Sequence, residues 1–138
     1  MLKKRLIGSV IIKEDLVVQS FGYKNYLPIG DPAIVIKNLE RWGIDEIIIL
    51  SIDRTKKNLG PDFNLLEKIY QSALSTPIAY GGGIRNQFEA KEVIKRGAER
   101  IVLENLLFTP ERVKEISLNL GSQALIASLN LFIKNENL

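Results

Sequence analysis

The chain has 138 residues, 46% hydrophobic and 25% charged, and carries a net charge of +3 from 19 basic and 16 acidic side chains. That is the composition of a folded domain, 1–138 reading as one unit, and it is shorter than the roughly 200 residues a complete eight-stranded α/β barrel needs. Cys and His are both absent, which excludes disulfides, thiolate nucleophiles, Cys or His metal centres and Ser-His-Asp triads. Acid–base chemistry therefore falls to Asp, Glu, Lys, Tyr or water, and nothing implies a metal or cofactor. No apolar run approaches the ~20 residues that span a bilayer, and the charged start Met1–Arg5 has no long apolar stretch behind it. The expectation is a cytoplasmic protein without membrane contact. Scattered cations and a single Trp predict no nucleic-acid partner.

Strands and helices alternate along the sequence. Leu6–Ile12 reads as a first strand, with Leu16–Gln19 as a short extension and Phe21 to Gly30 as a loop. Asp31-Pro32 starts a helix through cap and first-turn chemistry; Ile34, Ile36, Leu39 and Trp42 are spaced for one face, and Gly43 stops it. Glu46–Ile52 is near-continuously β-branched, as suits a parallel strand covered on both faces. After a polar loop from Lys56 to Pro61, Asp62 caps a helix whose Phe63, Leu66, Ile69 and Tyr70 are expected to face inward. Pro77–Tyr80 is a third strand, with Gly81-Gly82-Gly83 as its exit. Asn86 or Gln87 opens the helix that ends at Arg96-Gly97. Arg100–Leu103 is the fourth strand, Thr109-Pro110 opens the fourth helix, and Ala124–Leu129 is a fifth strand before a polar tail.

Gly43-Ile44-Asp45-Glu46-Ile47 is echoed by Gly97-Ala98-Glu99-Arg100-Ile101, 97 − 43 = 54 residues later, which is two βα units. The pattern predicts an α/β fold of five parallel strands and four helices without antiparallel hairpins. It reads as the amino-terminal half of a (βα)8 TIM barrel, with an open flavodoxin-like sheet as the alternative.

Ligands in such folds bind at the carboxyl ends of the strands. Gly81-Gly82-Gly83 with Arg85 can cradle a phosphate, or simply form a tight turn. Ser51 and Asp53 share a side, Asp53 standing as a base, a hydroxyl ligand, or a loop residue paired with Arg54 or a helix N-terminus. Asn105 can hydrogen-bond a ligand, whereas Glu104 beside it repels anions. At the opposite end, Arg5, Glu46 and Arg100 occupy equivalent points of the repeat. They are solvated strand ends, or in a closed barrel a charged ring.

Lys4-Arg5, Gly30-Asp31-Pro32, Gly43-Ile44-Asp45-Glu46, Gly81-Gly82-Gly83-Ile84, Arg96-Gly97-Ala98 and Gly121-Ser122-Gln123-Ala124 together resemble the cyclase subunit (HisF-type) of imidazole glycerol phosphate synthase. The resemblance runs from Lys4 to about Asn130. It implies a (βα)8 barrel that takes ammonia from a glutaminase subunit docked at its bottom and uses it on a bisphosphorylated small molecule at its top. It also implies phosphate binding at Gly82, Gly83 and Asn105, an ammonia gate of Arg5, Glu46 and Arg100, and a partner contact at Glu99. The family's two catalytic aspartates fall on Ile11 and Asn130, its loop-one lysine on Gln19 and a strand-two aspartate on Ser51, so no catalytic residue is assigned.

With the entry end retained and the cyclising end changed, the chain resembles most a branch in which the barrel delivers ammonia to a sugar amidotransferase for surface-sugar amidation. The alternatives are the cyclase subunit in histidine biosynthesis and a non-catalytic phosphate-binding half-barrel. Against the family's eight units the sequence stops after strand five. That leaves a truncated product, a disrupted gene, or a half that pairs with another half, with open edges at strands one and five.

Overall fold

The computed structural model describes residues 4–72 and 74–131; the polar tail expected at the end of the chain lies mostly outside them. Seven strands form one sheet in the order β3-β2-β1-β4-β5-β6-β7. They are β1 (Ile7–Lys13), β2 (Leu16–Phe21), β3 (Asn25–Gly30), β4 (Glu46–Ser51), β5 (Ile78–Gly81), β6 (Arg100–Leu103) and β7 (Leu125–Ala127). The helices are α1 (Pro32–Arg41), α2 (Phe63–Gln71), α3 (Gln87–Lys95) and α4 (Pro110–Leu120).

Strands β1, β4, β5, β6 and β7 are parallel and consecutive, the α/β arrangement of a partial (βα)8 barrel. The expected five strands are therefore present in the expected order, but the expected absence of antiparallel hairpins is corrected. Residues 16–30, read as an extension and a loop, are the antiparallel strands β2 and β3. Two tight turns make them. Glu14 and Asp15, the two residues between β1 and β2, take φ of 50° and 64°, the left-handed pair of a two-residue hairpin, while Gly22 and Tyr23 take 57° and 58° in the three-residue connection from β2 to β3. Three of those four are not glycine, and Pro28 sits in β3, so composition pointed to a loop. Pro28 is tolerated because β3 is the sheet's edge. The last strand is also shorter than expected, three residues rather than six.

Strand alternation divides the sheet into two faces. Val10 and Ile12, Ile47 and Ile49, Ile78 and Tyr80, and Ile101 and Leu103 turn toward the helices. They close the core with Ile36, Leu66, Ile69, Ala90, Val93 and Ile116, each large side chain contributing roughly 1.5–3 kcal/mol on burial. Ile34, Trp42 and Tyr70, expected to face inward, are instead 64%, 76% and 69% exposed: with helices on one face only, a stripe narrower than the apolar pattern is covered. The other face carries Ile11, Glu46, Ile48, Leu50, Ala79, Arg100 and Val102. Ile11, Ile48 and Leu50 are only half-buried there, because no layer of described residues lies over that side.

Candidate functional site

Arg5 precedes β1, Glu46 opens β4 and Arg100 opens β6. The register pairs Ile7 with Glu46, Ile48 with Ala79, and Ala79 with Arg100. Since paired residues in a parallel sheet point the same way, all three side chains reach the face away from the helices. There they meet. Glu46 is 1% exposed; its Oε2 lies 3.3 Å from Arg5 Nη2, and its Oε1 accepts from Arg100 Nη2. Asp45 Oδ2 accepts from the Leu6 amide at 2.8 Å, which pins the start of β1 to the start of β4. This carboxylate tolerates burial because its charge is paired on both sides, with Oε1 hydrogen-bonded by Arg100 and Oε2 in ionic contact with Arg5 without a hydrogen bond. The exposed side chain of Glu99 borders two neighbouring openings of about 390 and 400 Å³ at this end. Its amide is fixed by the Ile78 carbonyl at 2.8 Å.

At the opposite end, the glycine turn after β5 is shaped by close packing. A Cβ on Gly82 would stand 2.5 Å from the Ser51 carbonyl oxygen, and one on Gly83 2.6 Å from the carbonyls of Leu59 and Gly60. The Gly83 amide donates to Thr55 Oγ1 at 3.3 Å. Arg85 is clamped by Glu89 at i+4, and that contact holds its guanidinium protonated above its already high range. The turn is thus built by packing, with its nearest cation already engaged. Asn105 is exposed at the start of a short 3-10 turn after β6, and Asn130 donates to Glu104 beside it. Ile11 is half-buried in register with Leu50, and Gln19 is exposed on β2 opposite Leu27. No proton-transfer group stands at either position.

Ser51 and Asp53 do come together, lining one cavity. Asp53 pairs with Lys57 Nζ at 2.8 Å and accepts from the Glu14 amide at 3.3 Å, a loop residue's role, with Lys57 in place of the Arg54 or helix N-terminus that the sequence offered as its partners. Burial pushes the Asp53 carboxyl up, but Lys57 and the Glu14 amide outweigh it and hold the group below its usual range. Arg54 turns to the carbonyls of Gly60 and Pro61 and to Asp62. Sequence reading missed Lys57, although its i+4 spacing from Asp53 was visible, and Tyr80. The Tyr80 hydroxyl accepts from the Asp62 amide at 2.8 Å; burial pushes this phenol up, with the adjacent Ser51 hydroxyl and the Asp62 amide opposing.

Residues 5–135 match the family described as "Histidine biosynthesis protein". Among curated proteins, "Imidazole glycerol phosphate synthase subunit HisF" of Thermococcus gammatolerans is 37% identical over 131 residues, 94% of this chain and 52% of the relative. The proteins of that name from Pyrococcus furiosus and Petrotoga mobilis are 34% and 32% identical, with the same 94% and 52% coverage. The chain spans about half the length of the curated relatives it matches.

Proposed function

The chain belongs to the histidine biosynthesis protein family, and on that premise we propose that it is the amino-terminal half of a HisF-type cyclase subunit of imidazole glycerol phosphate synthase, built to receive ammonia from a glutaminase. The names of the relatives favour this alternative over surface-sugar amidation, which none of them mentions.

The observation that carries the reading is the buried Glu46 between Arg5 and Arg100. A closed ion cluster on the inward face at the amino ends of the strands excludes water yet can part for a small neutral molecule. The rim charge of Glu99 offers a partner cation a contact. Membership of the family is what supports phosphate recognition at Gly82, Gly83 and Asn105; the Gly83 amide, which donates to Thr55 Oγ1, would have to exchange that bond for a phosphate oxygen. Ring closure needs a proton donor and acceptor, and Ile11 cannot serve. The half thus carries the entry function and not, alone, the cyclising one.

The test pairs two measurements on the full chain. Titration with the glutaminase subunit of the synthase should give saturable binding that Glu99→Lys weakens, most at low salt. Supplied with ammonia and the bisphosphorylated ribonucleotide, the unmodified chain should form no imidazole product above background. Absence of glutaminase binding by a folded chain overturns the entry role, and turnover overturns the assignment of Ile11.

A further inference from the structure

The strand register lines up one apolar row across the face that carries no helices. Ile11 pairs with Leu50, Leu50 with Gly81, Gly81 with Val102 and Val102 with Ile126, so a single row crosses all five parallel strands. Its side chains close over the glycine: a Cβ on Gly81 would stand 2.8 Å from Val102 Cβ and 3.1 Å from Leu50 Cδ2. Nothing among the described residues packs on top of the row. Ile11, Leu50 and Ile126 are half-buried, as is Ile48 one row below, a contiguous apolar surface of the kind that marks an interaction site.

Both ends of the row are open strand edges. β1 meets β2 only at Ile12 and Lys13, so the edge of Ile7 to Ile11 that faces away from β4 has no partner among the described residues. β7 is paired with β6 alone. Open edges present unmade backbone hydrogen bonds. An occupant of this face must therefore supply a strand of matching direction at each edge and an apolar surface between them. A second copy supplies all three. A two-fold axis running along the strands keeps their direction, sets β7 of each copy beside β1 of the other, and turns the two apolar rows toward each other. Five strands about 4.8 Å apart and about 17 Å long project roughly 400 Å² per copy. With the relief of the side chains and the two edges added, the pair reaches the range of about 1,200–2,000 Å² that stable interfaces bury. We propose that the chain forms a two-fold dimer through this face and its two edges, closing a cylinder of parallel strands. The pairing of two halves, one reading that the sequence offers, thereby gains a surface and a symmetry. It goes beyond the ammonia-entry role, which sits at one end of the strands, and does not depend on it.

Sedimentation velocity of the full chain, from about 1 to about 100 µM, reads the association, and circular dichroism verifies the fold of each protein. The expected result is a reversible monomer–dimer equilibrium in the micromolar range with no larger species. Ile48→Lys and Ile11→Lys each put a charge on the free face. A single chain leaves that ammonium in water, whereas the dimer buries it, so each variant should raise the dimer Kd by about tenfold or more. Should one of them fail to fold, the other still decides. Ile34→Lys, at an exposed position of α1, should leave Kd unchanged. The proposal is overturned if the folded chain stays monomeric at the highest concentration. A ladder of larger species overturns it too, since edges would then pair without closing. So does a dimer that neither face variant weakens, or one that Ile34→Lys weakens equally. Glutaminase binding is read in a separate titration, so the two readings fall separately.

Discussion

Glu46 and Arg100 stand 54 residues apart in the chain and close on each other across β5, whose residue on that face is the small Ala79. The separation equals the internal sequence echo, so one ion pair links equivalent points two βα units apart. Removing only the carboxylate strands two guanidiniums at a half-buried position. Glu46→Ala is expected to cost about 1–3 kcal/mol, less than a fully buried pair because Arg5 and Arg100 keep solvent contact. Glu46→Leu should recover part of that loss by packing. Denaturant titration of the two variants checks the order.

The glycine turn after β5 makes a sharper claim. Gly83 has φ +72° and a Cβ there would overlap two carbonyl oxygens, whereas Gly43 has φ +77° and open space around it. Both substitutions to Ala carry the left-handed strain of about 1 kcal/mol or more. Only Gly83→Ala must also move the loop holding Leu59 and Gly60, so it should destabilise by about 2–4 kcal/mol in total. Equal unfolding midpoints for Gly43→Ala and Gly83→Ala would show that the turn is not packed as described.

What was legible in the sequence was local. Asp31, Asp62 and Asn86 accept from the amides of Ala33 and Ile34, of Leu65, and of Glu89, and cap chemistry of this kind is written within a few residues. The contact of Glu46 with Arg5 and Arg100 was legible only in part, since the repeat put all three charges at strand starts and left them equally readable as solvated ends. The β1–β2 and β2–β3 hairpins were not, since Glu14 and Asp15 in the first turn and Tyr23 in the second adopt left-handed conformations that the sequence pattern does not advertise. Nor were the bonds from Tyr80 to Asp62 and from Lys57 to Glu14, whose geometry exists only once separate loops have met.

Acid should loosen the layer between α1 and its neighbours. The Lys68 ammonium, ahead of its helix-cap bonds, holds the Asp31 carboxyl below its usual range. The Ser75 amide, with the Ser75 hydroxyl and the Thr76 amide, does the same for Glu40. Both groups are more acidic folded than unfolded, so the unfolded chain binds more protons at low pH. Their stabilisation is complete above about pH 4–4.5 and is lost as the pH falls through the lowered folded values. Glu40→Gln should flatten that loss, and unfolding midpoints at pH 6 and pH 3 for both proteins measure it.

Tyr80 ties β5 to the start of α2. Its ring is fully buried and its hydroxyl accepts from the Asp62 amide at 2.8 Å, while Asp62 Oδ1 in turn accepts from the Leu65 amide at 3.0 Å. Tyr80→Phe keeps the ring and its packing but leaves the part-buried Asp62 amide without its acceptor. The cost should be that of one orphaned donor, about 1–2 kcal/mol. Because Asp62 also holds Arg54, the loss should spread along the loop from Gly60 to Asp62 rather than into the sheet. Hydrogen exchange reads this directly: amides at Asp62 and Leu65 should exchange faster in Tyr80→Phe, and those of β4 and β6 should slow or quicken only with global stability. Unchanged exchange at Asp62 would mean that the hydroxyl does not hold the helix start.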